Sequence, residues 1–432
     1  MATKDRNTDP FGSVNASSAS TGYPADFLAP GQDQGRKAAR KEFDAAFALR
    51  DEDAIRVDMA QASRLFAEEG RDLRGKIGIG IVVFVALFFF SLCIRSTLGN
   101  GFISPLDVAD GIAMHFQVWL GGFVGQPVTL DYAQMVEQHP GYYQVETRFV
   151  TSLVAAGCGV MLALAGSLYQ MVFKNPIAAP TMLGVSNGVQ IGLLIFVLIY
   201  QFTALQVVEL RYVFSYAGAA AVLVCVLLLT RAICGKGHGF SIFELLMVGS
   251  IFSQLCGGVV QAITDTVMTD DLWEVYQTVS EASNLTLGTA EVVFIIIALA
   301  VTVVPVFLMR YAVNTVSYSD LEARLIGLDT SKLKIVCLVF GTIMVTAAQA
   351  CMGTVSMIAL VIPFISRGLF GTEFKHQFWG DLVLGAIVLL LCKDLVLMFP
   401  FYGMELTLGS VVTFVTLPFY VWIIASRQRG WK

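Results

Sequence analysis

Long apolar runs separated by short polar connectors dominate this chain from residue 77 to its end. A helix needs about 20 apolar residues to cross roughly 30 Å of hydrocarbon. On that ruler the runs near 77–95, 149–171, 182–202, 212–233, 243–266, 291–314, 333–351, 355–371, 378–399 and 405–425 predict about ten transmembrane helices. The tightest connector, between the seventh and eighth, is only Met352, Gly353 and Thr354. Membrane strands do not fit, because the runs lack the apolar/polar alternation of a barrel.

The connectors carry their own pattern. Ser96 to Thr147 contains no Lys or Arg but holds Asp107, Asp110, Asp131, Glu137 and Glu146, and Met268 to Glu291 is likewise acidic. Arg71, Arg74 and Lys76 precede the first run, and Lys174, Arg231, Lys236, Arg310, Arg324, Lys332, Lys334, Arg367, Lys375, Arg427, Arg429 and Lys432 fall in alternate connectors. Because positive charge is retained on the cytoplasmic side, ten spans with both termini cytoplasmic place all of these positive clusters inside. A multi-pass protein of that orientation is expected.

Residues 1–75 differ in kind. The first 34 are rich in Ser, Gly, Pro and Asp and poor in large apolar residues, a composition that predicts disorder. Residues 36–69 predict a charged helix with Phe43 and Phe47 on one side, ended by Gly70. The expected organisation is a cytoplasmic N-terminal extension over 1–75 and a ten-helix membrane domain over 76–432. The extension reads either as a solvated tail or as a contact surface for a cytoplasmic partner. So much polar chain ahead of the first apolar run argues against a cleavable signal peptide.

Composition agrees. Hydrophobic residues make up 56% of the 432 and charged residues 14%, against about 25% charged in a soluble domain. Mean hydropathy is +0.70. This excess of apolar surface must face lipid, which excludes a soluble enzyme and a disordered scaffold. A net charge of −5 argues against a nucleic-acid partner. The eight cysteines show no CxxC or Cys/His metal spacing and read as small buried hydrophobes.

Candidate chemistry is sparse. Gly70 to Lys76 matches GxxxxGK, but Ile77 stands where Ser or Thr must hold magnesium, and no strand precedes it. His115, His139, His238 and His376 all fall in loops or at span ends. That removes bis-His haem ligation, zinc hydrolysis and an intramembrane Ser/His dyad. No catalytic residue, metal site or bound cofactor is expected. Lys393 and Asp394 lie inside the ninth run, where a lone charge costs about 2.5–3.5 kcal/mol; a locally satisfied structural site and an ion relay both remain open. Gly157, Gly159, Ala163, Ala165 and Gly166 mark the second run as a helix packed closely on several sides. Asn175-Pro-Ile-Ala-Ala-Pro180 predicts a shaped break between runs two and three. Asp320-Leu-Glu-Ala-Arg-Leu-Ile-Gly327 predicts a short charged helix after run six, stopped by its glycine.

These motifs together resemble the permease subunits of type II ABC importers for iron–siderophore complexes, haem and vitamin B12. The family pattern G-x-x-x-x-L-x-G-x-x-x-Q-x-x-x-x-N-P-L-A-x-P-x-x-L-G-V-S-x-G is carried here by Gly159, Leu164, Gly166, Gln170, Asn175, Pro176, Ala178, Pro180, Leu183, Gly184, Val185, Ser186 and Gly188. Its A-R-x-L-G element appears as Ala323-Arg-Leu-Ile-Gly327. A third element is recognisable from Gly353 to Leu360, with Pro363 and Arg367. Thr354, Ala359 and Phe364 depart from it, Val150 and Thr151 depart from an R-L-P-R element, and Thr407 and Leu408 depart from an E-L-P-V-G element.

The resemblance, over roughly residues 77–430, implies an all-α ten-helix permease that pairs with a second permease subunit, identical or not, in the inner membrane of a prokaryote. It implies a cytoplasmic ABC ATPase dimer, which holds the ATP and magnesium, and an extracytoplasmic substrate-binding protein. Iron(III)–siderophore is the implied cargo, with haem or cobalamin as alternatives; a secondary transporter driven by an ion gradient is the rival from another class. The resemblance assigns ATPase coupling to Asp320, Glu322, Ala323, Arg324 and Gly327. It makes Ser250, Gln254, Gln261, Thr413 and Thr416 candidates for the translocation pathway. Asn175, Pro176, Pro180, Gly184 and Ser186 form the signature loop.

Overall fold

The computed structural model describes residues 52–94, 102–124, 137–202, 209–234, 242–267, 272–273, 275–277, 288–316, 330–355, 357–398 and 406–427. The chain divides into two units, Met1–Asp72 and Leu73–Lys432. In the first, the described residues are helical. The second is a helical bundle in which the described residues form no sheet, only a single bridge between Ile94 and Phe102.

In chain order the helices are α1 (Glu52–Cys93), α2 (Pro105–Val124), α3 (Pro140–Val172), a 3-10 turn (Pro180–Leu183), α4 (Val185–Phe202), α5 (Leu210–Cys234) and α6 (Ile242–Val267), then α7 (Thr289–Leu308), α8 (Arg310–Val316), α9 (Thr330–Met352), α10 (Ile358–Phe370), α11 (Phe374–Met398) and α12 (Leu408–Arg427). Each of the ten apolar runs is helical, the sixth as two helices. Segments of α1, α3, α5, α6, α7 and α9 are long and apolar enough to cross a membrane, and α4, α10 and α12 contain shorter apolar helices. The remaining run is α11, 25 residues long, which carries Asp381, Lys393 and Asp394.

Four features depart from the sequence expectation. Gly70 does not end a helix, because α1 runs through it; one glycine costs only about 1 kcal/mol in a helix interior, and the apolar run beyond it must keep its backbone bonded in lipid. The GxxxxGK stretch is therefore helical and cannot cradle a phosphate. Secondly, the acidic stretch after the first run contains α2, whose Val108, Gly111 and Met114 are buried at helical spacing. The sixth run, thirdly, is two helices: α7 ends at Leu308, with Met309 as its cap, and α8 begins at Arg310. Of the cysteines, Cys225 faces outward rather than into the core.

The core is organised around α3, which packs against α2, α7, α9, α10 and α11. Its small residues let backbones touch. A Cβ on Gly159 would lie 2.1 Å from the Gly385 carbonyl oxygen of α11, and one on Gly385 would lie 2.4 Å from that of Gly159. On the same helix, a Cβ on Gly166 would come within 1.7 Å of the Ala359 carbonyl oxygen of α10. The α4–α5 pair uses the same device at Gly192 and Gly218. In lipid there is no hydrophobic force between apolar helices, so this close van der Waals packing is what joins them.

Candidate functional site

The signature loop follows directly from its residues. Helix α3 stops at Val172, after which Lys174 adopts a left-handed backbone (φ 48°). Asn175 then folds the chain: its Oδ1 accepts from the Ile177 amide at 3.2 Å and its carbonyl accepts from the Ala178 amide at 3.1 Å. This is the local bonding that makes Asn a turn residue ahead of Pro176. Pro180 opens the 3-10 turn, where a missing amide proton costs nothing. Gly184 closes it at φ 73° and ψ 11°, a conformation that favours glycine.

The loop starts at exposed Lys174 and turns inward: Ala178, Ala179, Pro180, Leu183 and Gly184 are buried. Ser253 of α6 donates to the Thr181 carbonyl at 3.1 Å, and Asn187 Nδ2 donates back to the Ser253 carbonyl at 2.5 Å. Ser253 lies eleven residues into α6, about 17 Å along its axis at 1.5 Å per residue. The loop therefore re-enters toward membrane depth. Irregular backbone is tolerated there only when protein satisfies it, and α6 does so. Ser186, the second residue of α4, accepts from Gln349 Nε2 of α9 at 2.8 Å.

Gln170, the glutamine of the same signature, reaches the third family element. Its Nε2 donates to the Leu360 carbonyl at 2.9 Å, and its Oε1 accepts from Arg367 of α10. Behind them Ser167 of α3 donates to the buried Asp381 of α11, while Gln377 Nε2 donates to Ser167 Oγ at 2.6 Å. Motifs almost 200 residues apart thus form one junction of α3, α4, α6, α9, α10 and α11. Nothing in the motif points to Ser253, Gln349 or Asp381. The sequence signal that could have found them is a lone polar residue in an apolar run.

The pathway candidates divide. Ser250, Gln254 and Gln261 are exposed on α6, among outward-facing Ile251, Leu255 and Val259. Gln261 Nε2 donates to Asp265 at 3.0 Å, and Ser250 donates to the Met247 carbonyl at 2.9 Å. Thr413 is exposed on α12 beside Phe414, whereas Thr416 is 2% exposed and donates to the Val412 carbonyl at 2.7 Å. Helix α6 packs on α4, α5 and the 3-10 turn, and α12 on α10 and α11. The coupling candidates Asp320, Glu322, Ala323, Arg324 and Gly327 lie outside the described residues.

Lys393 and Asp394 form a compact buried site. Lys393 Nζ donates to Ser91 Oγ at 2.6 Å and Ser152 Oγ at 2.8 Å, and lies 2.9 Å from Asp394 Oδ1. Ser91 also donates to Asp394 Oδ1 at 2.7 Å. The ammonium's three protons have three acceptors, drawn from α1, α3 and α11. Between this site and Asp381, residues 382–392 of α11 are apolar or glycine, so α11 supplies no polar step between them. The geometry is that of a structural tie. Lys393→Met should therefore destabilise the protein by about 3–5 kcal/mol, by leaving the Asp394 carboxylate buried without its cation. Lys393→Met/Asp394→Leu should recover most of the loss. Detergent-solution melting checks both; a double variant no more stable than Lys393→Met would refute the tie.

Among the described residues no group of His, Cys, Asp and Glu could hold a metal ion. Comparison with known proteins matches the FecCD transport family to residues 80–426. A Helicobacter pylori protein named as an iron chelatin transport system permease is 27% identical over 287 residues, 66% of this chain and 83% of that one. The Fe(3+) dicitrate transport system permease FecC of Escherichia coli is 28% identical over 285 residues, 66% of this chain and 82% of its own. A solved structure described as a metal-chelate type ABC transporter in an inward-facing conformation shares the fold, with a TM-score of 0.63 at 18% identity over 83% of this chain and 99% of that chain.

Proposed function

Since this chain belongs to the FecCD transport family, and is accordingly a multi-pass membrane permease, we propose that it is the transmembrane subunit of an ATP-driven importer for iron(III)–siderophore complexes. The observation that carries this reading is the extent of the family match, which takes in nearly all the helical bundle. The cargo class follows the iron chelates in the names of the relatives compared. Haem and cobalamin are the alternatives within the same family.

The proposed assembly pairs this permease with a second copy or a related subunit. The exposed faces of α6 and α12 then meet across a central path, where Ser250, Gln254, Gln261 and Thr413 supply polar groups on otherwise apolar surfaces. A cytoplasmic ATPase pair docks on the Lys/Arg-rich end through the segment around Arg324, and a binding protein delivers the chelate to the acidic end. Both termini are cytoplasmic in this arrangement. No nucleophile is required of this chain, because hydrolysis belongs to the ATPase. Transport follows from two permease states with different affinities for cargo, exchanged by movement of the coupling segments.

Reconstitution tests it. Liposomes containing the permease with its ATPase and binding protein should accumulate ferric siderophore only when ATP is enclosed on the ATPase side. Uptake at an undiminished rate without the ATPase, driven by an imposed proton or sodium gradient, would replace this reading with the secondary transporter.

A further inference from the structure

An apolar groove of about 380 Å³ lies between α1, α3, α7 and α11. We propose that it is a binding site for one acyl chain of an anionic phospholipid, with the headgroup held at the Lys/Arg-rich end.

The groove is walled by hydrocarbon. Ile77, Ile81 and Phe84 line it from α1, Val160 from α3, Ile296 from α7 and Leu382 from α11. In this stretch α1 has little protein around it. Ile79, Val82 and Val85 are 68%, 69% and 58% exposed, and the helix is anchored at its far end, where Ser91, Leu92 and Cys93 are buried. Gly80 touches the bundle, since a Cβ there would meet Val383 at 2.3 Å. A span tied at its end and open along its body leaves a slot at membrane depth, where lipid is the solvent. A flexible apolar chain fits such a slot, and a polar solute would find no hydrogen-bond partner in its walls.

Charge complementarity selects the headgroup. Arg74, Ile77, Ile81 and Phe84 recur at helical spacing, so the apolar stripe on α1 continues into an exposed cation one turn below the groove. From α11, Trp379 lines the wall and packs edge-on to Phe307 at 5.8 Å, and the Arg310 guanidinium sits 4.0 Å over the Phe307 ring. Tryptophan and arginine at the Lys/Arg-rich end are residues that anchor at a headgroup layer. An anionic headgroup matches the arginines, whereas a zwitterionic headgroup brings its own ammonium.

The test is native mass spectrometry on the full-length protein purified in mild detergent and titrated with phosphatidylglycerol or phosphatidylcholine. One tightly retained phospholipid is expected, with about a tenfold preference for phosphatidylglycerol. Ala386→Phe, which fills the groove, should remove that retained lipid. Arg74→Glu leaves the groove intact and should cut the preference to about twofold or less, which keeps the proposal testable if the filled variant misfolds. Equal retention and preference in wild type and Arg74→Glu, or a co-purifying polypeptide that excludes lipid from the site, would overturn it.

Discussion

Arg324→Glu is expected to abolish the cargo-stimulated part of ATP hydrolysis while the permease still inserts and still assembles its bundle. The segment Asp320–Gly327 joins α8 to α9, two helices held firmly on either side of it. Asn314 of α8 accepts from the Phe374 amide at 3.1 Å, and Thr330 and Lys334 at the start of α9 are buried. A connector carried on such fixed ends can transmit displacement. Reversing one charge in a docking contact turns an attractive pair into a repulsive one, and like-charge juxtaposition at an interface costs several kcal/mol. Arg324→Lys should retain part of the stimulation, since the charge survives without the planar guanidinium. The readout is ATPase activity of the reconstituted complex with and without loaded binding protein. Stimulation unchanged in Arg324→Glu would remove the coupling role from this segment.

A second large effect is expected from Gly166→Leu, which should leave almost no monodisperse protein after extraction from membranes. The obstacle is backbone, not side chain: the Ala359 carbonyl oxygen would lie 1.7 Å from a new Cβ. No rotamer change relieves that, so α10 must separate from α3. Separation would also break the bond of Gln170 to the Leu360 carbonyl next along the chain. Even Gly166→Ala should cost about 3 kcal/mol, at the upper end for overpacking. Gly78→Ala is the matched control, because nothing lies within 4 Å of its added methyl. Size-exclusion profiles and melting temperatures compare the three; a Gly166→Ala protein as stable as Gly78→Ala would refute the close approach of α3 and α10.

The signature loop illustrates how far motif reading reaches. Asn175, Pro176, Pro180 and Gly184 are legible as a turn because each acts on its own backbone, through a side-chain acceptor, a fixed φ or a left-handed conformation. Ser186 is different. Its partner is Gln349, 163 residues away, and no local rule connects them. Thr416 makes the same point from the other side. The resemblance makes it a pathway candidate, but no motif tells that its hydroxyl bonds its own backbone four residues earlier, as that of Thr413 also does.

Class and span positions were determined by the sequence alone, because they depend on local quantities: an apolar run long enough for the bilayer, a proline, a cluster of Lys and Arg. Gly159 and Gly166 could likewise be recognised as sites of close packing. Only the tertiary structure decided what they pack against, that Lys393 and Asp394 are tied by serines from two other helices, and that Arg367 rests on Gln170. Those outcomes depend on which helix faces are brought together. In lipid, where apolar faces are nearly interchangeable, shape and a few buried hydrogen bonds choose the partners.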